Sequence, residues 1–355
     1  MIKTFDEVFV DKTKLGTKIK TDEYHEKGDN IIVDQGQKLV AGYTDLKDGI
    51  FDEVPVILFG DHTRVVKYIE EPFFLGADGV KVLRSKLDNA NYKYLYYALR
   101  NVNIPNTGYN RHFKWLKEIC IRYPELEEQE KIVTILDKVS YIIEDRKKEL
   151  EKLDELIKAR FVELFGDPVT NPKGYLVKPL QELIDMGYII YHLDGNHGGD
   201  YPRSEEFVDS GVPYIGANSI VNGQIDFSMA KYLTEERAGK LRKGIAQNED
   251  VLFAHNATVG PTVVLKTTEP KVILSTSLTA YRCNKSYLLP NYLKAYMQSE
   301  GFVRQYSGEM KQTTRNQVPI TAQKKYLFIV PPTAEQEQLA AFVEQTDKSK
   351  FDCFT

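Results

Sequence analysis

The stretch Ile121-Arg122-Tyr123-Pro124, followed by Glu128-Gln129-Glu130, decides the architecture because it occurs twice. It returns as Ile329-Val330-Pro331-Pro332 followed by Glu335-Gln336-Glu337, an offset of 335 − 128 = 207 residues. Each copy is a short apolar run, a proline stop and an EQE. Upstream, Asn91-Tyr92-Lys93-Tyr94-Leu95-Tyr96-Tyr97 parallels Asn291-Tyr292-Leu293-Lys294-Ala295-Tyr296, and both read as helices with aromatics on one face. Further upstream, Val54-Pro55-Val56-Ile57-Leu58-Phe59 and Asp250-Val251-Leu252-Phe253 are apolar, strand-like runs. Each leads into a polar turn, Gly60-Asp61-His62-Thr63-Arg64 in one half and residues 254–260 in the other. Each half therefore reads as strands, a helix, a polar loop, a strand and a long helix. Two copies at a period near 200 residues make a duplicated domain, not a solenoid.

Downstream of the first EQE, steps of four and three residues give Ile132, Leu136, Val139, Ile143, Arg146, Leu150, Leu153, Ile157, Arg160 and Leu164. Eight of these ten positions are apolar, the pattern of a coiled-coil seam. A helix over 127–165 would be about 58 Å long at 1.5 Å per residue, and Gly166-Asp167-Pro168 ends it. The same steps in the second copy give Leu339, Val343, Thr346 and Lys350, so its seam begins and fades. The expected partner of the central seam is the equivalent distal helix, packed antiparallel; the alternative is a helix packed only on its own domain.

The chain has 355 residues, 42% hydrophobic, enough for two domains with sizeable cores. No apolar stretch has the roughly 18 residues of a membrane span, and residues 1–12 lack a signal region, so a soluble, cytoplasmic protein is expected. Cys120, Cys283 and Cys353 show no zinc spacing and read as reduced thiols. The net charge of −4 argues against a protein that binds nucleic acid unaided, because phosphate neutralisation supplies much of that affinity. Twenty-two tyrosines against seventeen phenylalanines suit surfaces that meet partly polar ligands.

The segment Gly108-Tyr109-Asn110-Arg111-His112-Phe113, with Leu116-Lys117, Tyr123-Pro124, 128–132, Leu136-Asp137, Leu150, Arg160-Phe161 and Phe165-Gly166-Asp167-Pro168, resembles the central region of type I restriction-modification specificity subunits. Residues 331–336 resemble the equivalent distal boundary. The resemblance covers nearly the whole chain. It implies an α+β fold with two target recognition domains, 1–124 and 167–331, in a pseudo-two-fold arrangement. Long antiparallel coiled-coil helices, a central one at 125–166 and a short distal one at 332–355, would separate the domains and set the gap between two half-sites. It also implies double-stranded DNA, two adenine methyltransferase subunits and restriction/translocase subunits as partners. No cofactor is expected on this chain, with S-adenosylmethionine, ATP and Mg on the partner subunits. The first domain starts almost at residue 1 and is the shorter, so its first strand is expected to be missing or differently built. The short distal helix raises a truncated or split subunit, for which a homodimer is expected.

Lys311, Gln312, Thr313, Thr314, Arg315 and Asn316 are the leading DNA-contact candidates, since Arg pairs with guanine, Asn or Gln with adenine, and Lys and Thr with phosphate. Their counterparts in the first half are Tyr109, Asn110, Arg111, His112 and Lys114, with Gly108 allowing close backbone approach. Asp61, His62 and Arg64 in one turn, and His255, Asn256 and Thr258 in the other, form a further paired set. An ordinary solvated loop, or Arg111 and His112 bonding local carbonyls, is the alternative for these groups. Ser275-Thr276-Ser277 reads as strand surface. The cluster His192, Asp194, Asn196, His197 and Asp200 matches no metal-site spacing and reads as a glycine-rich loop.

Phosphate-loop, GxGxxG, adenine-methyltransferase, HExxH and GxSxG motifs are absent from the sequence. The expectation is a non-catalytic DNA reader. The competing readings are a methyltransferase or nuclease with an unrecognised motif, and a coiled-coil scaffold that does not touch DNA.

Overall fold

The computed structural model describes residues 1–76, 78–108, 110–310 and 316–352. Tyr109, Lys311, Gln312, Thr313, Thr314, Arg315 and Cys353 lie outside the described residues. The chain is an α+β protein of two compact units, Met1–Asp145 and Arg146–Thr355, whose boundary falls within the central helix Leu126–Phe165.

The two units repeat one sheet. In the first, strands Phe9–Asp11, Val80–Ser85, Val56–Gly60 and Val66–Ile69 lie side by side in that order. In the second, Ile189–Asp194, Leu278–Cys283, Val251–Asn256 and Thr258–Val264 take the same order. The central strand of each sheet is apolar on both faces because each face meets a different core. Ile57 and Phe59 pack with the helices of the first unit, while Val56 and Leu58 face its second sheet. Val251 and Phe253 divide from Leu252 and Ala254 in the same way.

The first strand of the first unit is present, contrary to expectation. Ile2–Thr4 pairs antiparallel with Cys120–Arg122, as Leu176–Pro179 pairs with Leu327–Val330. The difference in size lies in the second sheet, which has three strands in the first unit and five in the second, with an added hairpin Ile220–Val221 and Gln224–Ile225.

The repeated glutamine has a structural cause. Gln129 Nε2 donates to the carbonyl of Pro124 at 2.8 Å, and Gln336 Nε2 donates to the carbonyl of Pro331 at 2.8 Å. Both amides are buried, and each bonds a carbonyl ahead of its long helix that the helix cannot satisfy. The tyrosine helices Tyr92–Arg100 and Pro290–Met297 also correspond, in a register two residues from the sequence pairing. Tyr94 Oη donates to the Arg122 carbonyl at 2.5 Å and Tyr292 Oη to the Ile329 carbonyl at 2.7 Å, so Tyr94 is the equivalent of Tyr292.

The central helix runs for 40 residues and stops at Gly166, whose φ of +79° is open to glycine and strained for other residues. Within the first unit, Ile132 packs against the core beside Val133, Leu136 is half-buried, and Lys93 and Tyr97 bind Asp137 at 2.8 and 2.7 Å. Within the second unit, the helix meets the distal helix Thr333–Asp352. Arg160 lies over the Phe342 ring at 5.9 Å while Lys350 pairs with Asp154, a register that runs antiparallel. Ile157, Phe161 and Leu164 share a core with Leu339 and Val343, and Leu150 and Leu153 are half-buried. Between these two stretches, Val139 and Ile143 are 45% and 52% exposed. Among the described residues, no helix is long and apolar enough to cross a membrane.

Candidate nucleic-acid interface

Each unit fastens a polar loop to the turn at the end of its central strand. In the first unit, the N–H of His112 donates to the carbonyl of Asp61 at 2.8 Å. The Asp61 carboxylate also accepts from the N–H of Phe113 at 2.7 Å, satisfying an orphan donor at the start of the short helix Phe113–Leu116. In the second unit, the N–H of Val318 donates to the carbonyl of His255 at 2.8 Å, and the N–H of Ala257 to the carbonyl of Asn316 at 2.9 Å. The strand registers make Asp61 the counterpart of His255, so one backbone bond recurs with different side chains around it.

The candidates divide by exposure. Asp61, His112 and His255 are buried and bonded inside the protein. His112 Nδ1 lies 3.0 Å from the Asp61 carbonyl and Nε2 lies 3.3 Å from Thr107 Oγ1, while His255 Nδ1 lies 2.8 Å from Thr279 Oγ1. Burial pushes the His255 imidazole down to about 4, so the ring is neutral at pH 7. Arg64 is half-buried with its guanidinium on the Ile104 carbonyl at 3.1 Å, and His62 receives the Gln35 side chain on its backbone N–H at 3.1 Å. Asn110, Arg111, Lys114, Thr258 and Asn316 are exposed, and Asn256 is half-buried. Lys114 Nζ sits 4.9 Å from the Trp115 ring. Lys18 at 2.9 Å, and Arg111 at longer range, hold the Asp78 carboxyl below its ordinary value. A Cβ on Gly108 would meet nothing within 4 Å, so its φ of +77° rather than close packing calls for glycine.

Three residues missed in the sequence organise these edges. Gln35 accepts from the His62 N–H and donates to the Asp78 carbonyl at 3.1 Å. Gln323 and Thr279 are fully buried beneath the second unit's turn. Ser275-Thr276-Ser277 is a turn and not strand surface; Ser277 Oγ accepts from the Ala217 N–H at 2.8 Å and bonds Ser275 Oγ at 2.7 Å. Hydroxyls that close a turn in this way leave no strand to extend.

In the 192–200 cluster, Asp194 Oδ2 bonds His197 Nε2 at 2.6 Å, Asn196 holds the Lys243 carbonyl at 2.6 Å, and His192 faces Gln323. Among the described residues, no group of three or more His, Cys, Asp or Glu is arranged to hold a metal ion. A cavity of about 1160 Å³ in the second unit is lined by Ile157, Phe161, Lys294 and Val343 among others, and by none of the DNA-contact candidates among the described residues.

The fold is that of a duplicated α+β domain protein, each copy carrying one polar edge. The profile of the type I restriction modification DNA specificity domain matches residues 2–153 and 173–353, and the chain belongs to that family. The chain is similar to the type I restriction enzyme EcoR124I/EcoR124II specificity subunit of Escherichia coli, 26% identical over 234 residues, or 61% of this chain and 54% of that protein. It thus spans about half the length of that relative. It is also similar to the type I restriction enzyme MjaVIII specificity subunit of Methanocaldococcus jannaschii, 22% identical over 85% of this chain and 74% of that one. Among solved structures, the S subunit of a type I restriction-modification system from M. genitalium shares the fold, with a TM-score of 0.55 and 16% identity over 99% of this chain and 90% of that chain.

Proposed function

We propose that this chain is the DNA-reading subunit of a type I restriction-modification complex, recognising a bipartite site and directing partner adenine methyltransferase and nuclease subunits. The observation that carries the reading is the recurrence, in one chain of this family, of a loop-to-turn bond at the end of the same strand in both units. Residues 1–124 and 167–331 each read one half-site, and 125–166 and 332–355 join them and set the gap. The exposed Asn110, Arg111, Lys114, Thr258 and Asn316, with Tyr109 and residues 311–315, contact DNA. Asp61, His62, Arg64, His112, His255 and Asn256 shape the edges that present them. The chain binds no cofactor and performs no chemistry; two methyltransferase subunits supply S-adenosylmethionine, and the restriction subunits supply ATP and Mg, in the cytoplasm.

The acidic balance fits this division of labour. A chain of net charge −4 binds DNA weakly and salt-sensitively alone, and tightly when partner subunits contribute positive field. Genome-wide mapping of N6-methyladenine after co-expression with the neighbouring methyltransferase tests the proposal. A new split motif with a fixed gap is expected. Methylation by the purified chain alone would favour an enzyme, and a stable complex that leaves DNA unmethylated would favour a scaffold.

A further inference from the structure

The second unit contains a buried polar circuit that the DNA-contact candidates do not use. Gln323 ends the single-turn helix Ile320–Gln323 and is fully buried. Its Oε1 accepts from Tyr281 Oη at 2.6 Å and from His192 Nε2 at 3.1 Å. Its Nε2 donates to Thr279 Oγ1 at 3.1 Å and to the Val318 carbonyl at 3.0 Å. A carbonyl can only accept, so the Val318 bond fixes which end of the amide is nitrogen. All four hydrogen-bonding positions of the amide are then filled. The Thr279 hydroxyl, having accepted from Gln323, has its hydrogen available for His255 Nδ1 at 2.8 Å.

The bonds close on themselves. Gln323 holds Thr279, Thr279 holds His255, the His255 carbonyl holds the Val318 N–H, and the Val318 carbonyl holds Gln323. The outward side of this ring is the turn at Asn256–Thr258 and residues 316–317, joined by the Ala257 N–H to Asn316 carbonyl bond. The first unit lacks the ring: the 207-residue offset puts Leu116 opposite Gln323, and strand register puts Lys81 opposite Thr279. There the Asp61 carboxylate does the fastening.

We infer that Gln323 is the positioning residue of the second recognition edge, setting how segment 316–318 lies against the 255–258 turn and thereby how strictly that edge discriminates bases. This rests on the reading of the second unit as a DNA-recognition unit. A satisfied buried network specifies one arrangement, and removing its central amide leaves the Val318 carbonyl and Thr279 hydroxyl without their partner. Discrimination depends on bidentate geometry, so a loosened segment loses selectivity before it loses affinity.

The experiment uses the full chain with Gln323→Leu, the residue type found at position 116. Amide hydrogen exchange is read first: exchange at Val318 and Ala257 is expected to quicken about tenfold or more, with Leu252 and Ala280 in the sheet unchanged. Methylome mapping with the co-expressed methyltransferase is read second. The half-site read by the second unit should become degenerate while the other stays strict. Unchanged protection at Val318 and Ala257 overturns the inference, and so does a motif strict at both half-sites with only the methylation level reduced. If the wild-type chain directs no split motif, the recognition reading fails, and the inferred role in base discrimination falls with it, whereas exchange still decides whether Gln323 holds the segment. Should Gln323→Leu fail to fold, Thr279→Val breaks the same ring at the next bond and is judged by the same two readouts.

Discussion

The Gln129 side chain donates to the carbonyl of Pro124 from the first turns of the central helix, and Gln336 stands in the same relation to Pro331. Gln336 does more, since its Nε2 also reaches the Tyr287 carbonyl at 2.9 Å and its Oε1 accepts from the Leu289 N–H at 2.8 Å. Gln336→Ala is expected to destabilise the second unit by about 2–4 kcal/mol, against about 1–2 kcal/mol for Gln129→Ala in the first. Urea unfolding followed by unit-resolved hydrogen exchange measures both, and equal losses would contradict the bond inventory.

Acid should loosen the second unit through two histidines. Burial pushes both His192 and His255 down to about 4, against about 6.5 in an unfolded chain. Between these values the unfolded chain binds protons that the folded chain refuses. Stability is therefore fully present above about pH 6.5 and falls as pH drops toward 4, by about 1.4 kcal/mol per pH unit for each ring. Thermal unfolding at pH 7.5 and 5 should show the loss, and His255→Gln should roughly halve the slope. A stability that does not change between these pH values would be the contrary result.

The pairing of the central and distal helices in the second unit is carried by apolar contact. Phe161 is 4% exposed, lies 5.0 Å from the Phe165 ring and stacks on Tyr292 at 5.8 Å. Phe161→Ala should cost about 3–5 kcal/mol. Asp154→Asn, which removes the pair with Lys350, should cost under about 1 kcal/mol because the Asp154 side chain is 63% exposed. Comparing the two variants by calorimetry decides which effect dominates.

Arg111 is exposed beside the first unit's turn, and Arg315 lies outside the described residues. Under the proposed function, Arg111→Ala weakens or relaxes the first half-site alone, and Arg315→Ala the second alone, each by about 1–3 kcal/mol where the arginine reads a base. A uniform loss across sequences, with a shallower salt dependence, would assign either residue to phosphate instead.

Much of the fold was legible because the repeated EQE and the doubly apolar strands are strong local signals. The sequence pairs the tyrosine helices two residues out of their structural register, since Asn91 caps its helix whereas Asn291 follows the first helical residue, and the two Asn-Tyr pairs look alike. The strand Ile2–Thr4 leaves no mark in the sequence because three residues, with Ile2 74% exposed, carry no alternation. Val139 and Ile143 fit the heptad steps and are exposed in the single chain, because heptad spacing records which residues could pair, not where a partner helix lies. For the candidate site, the sequence identified the turns and loops but not the division between exposed and anchoring residues. A lone buried polar residue such as Gln323 has no periodicity, and its partners Tyr281, Thr279 and His192 come from strands 40 and more residues away in sequence.

Arg64 and Ala257, at the tips of corresponding turns, have φ values of +61° and +64°, a region where non-glycine residues are strained by about 1 kcal/mol each. Glycine would sit there at ease, but it would also leave the turn free to wander. Each turn is instead locked by its loop, so much of its disorder is given up when the chain folds and not when it meets a ligand. Association should then carry a smaller entropic penalty at these edges than at a floppy loop of the same composition.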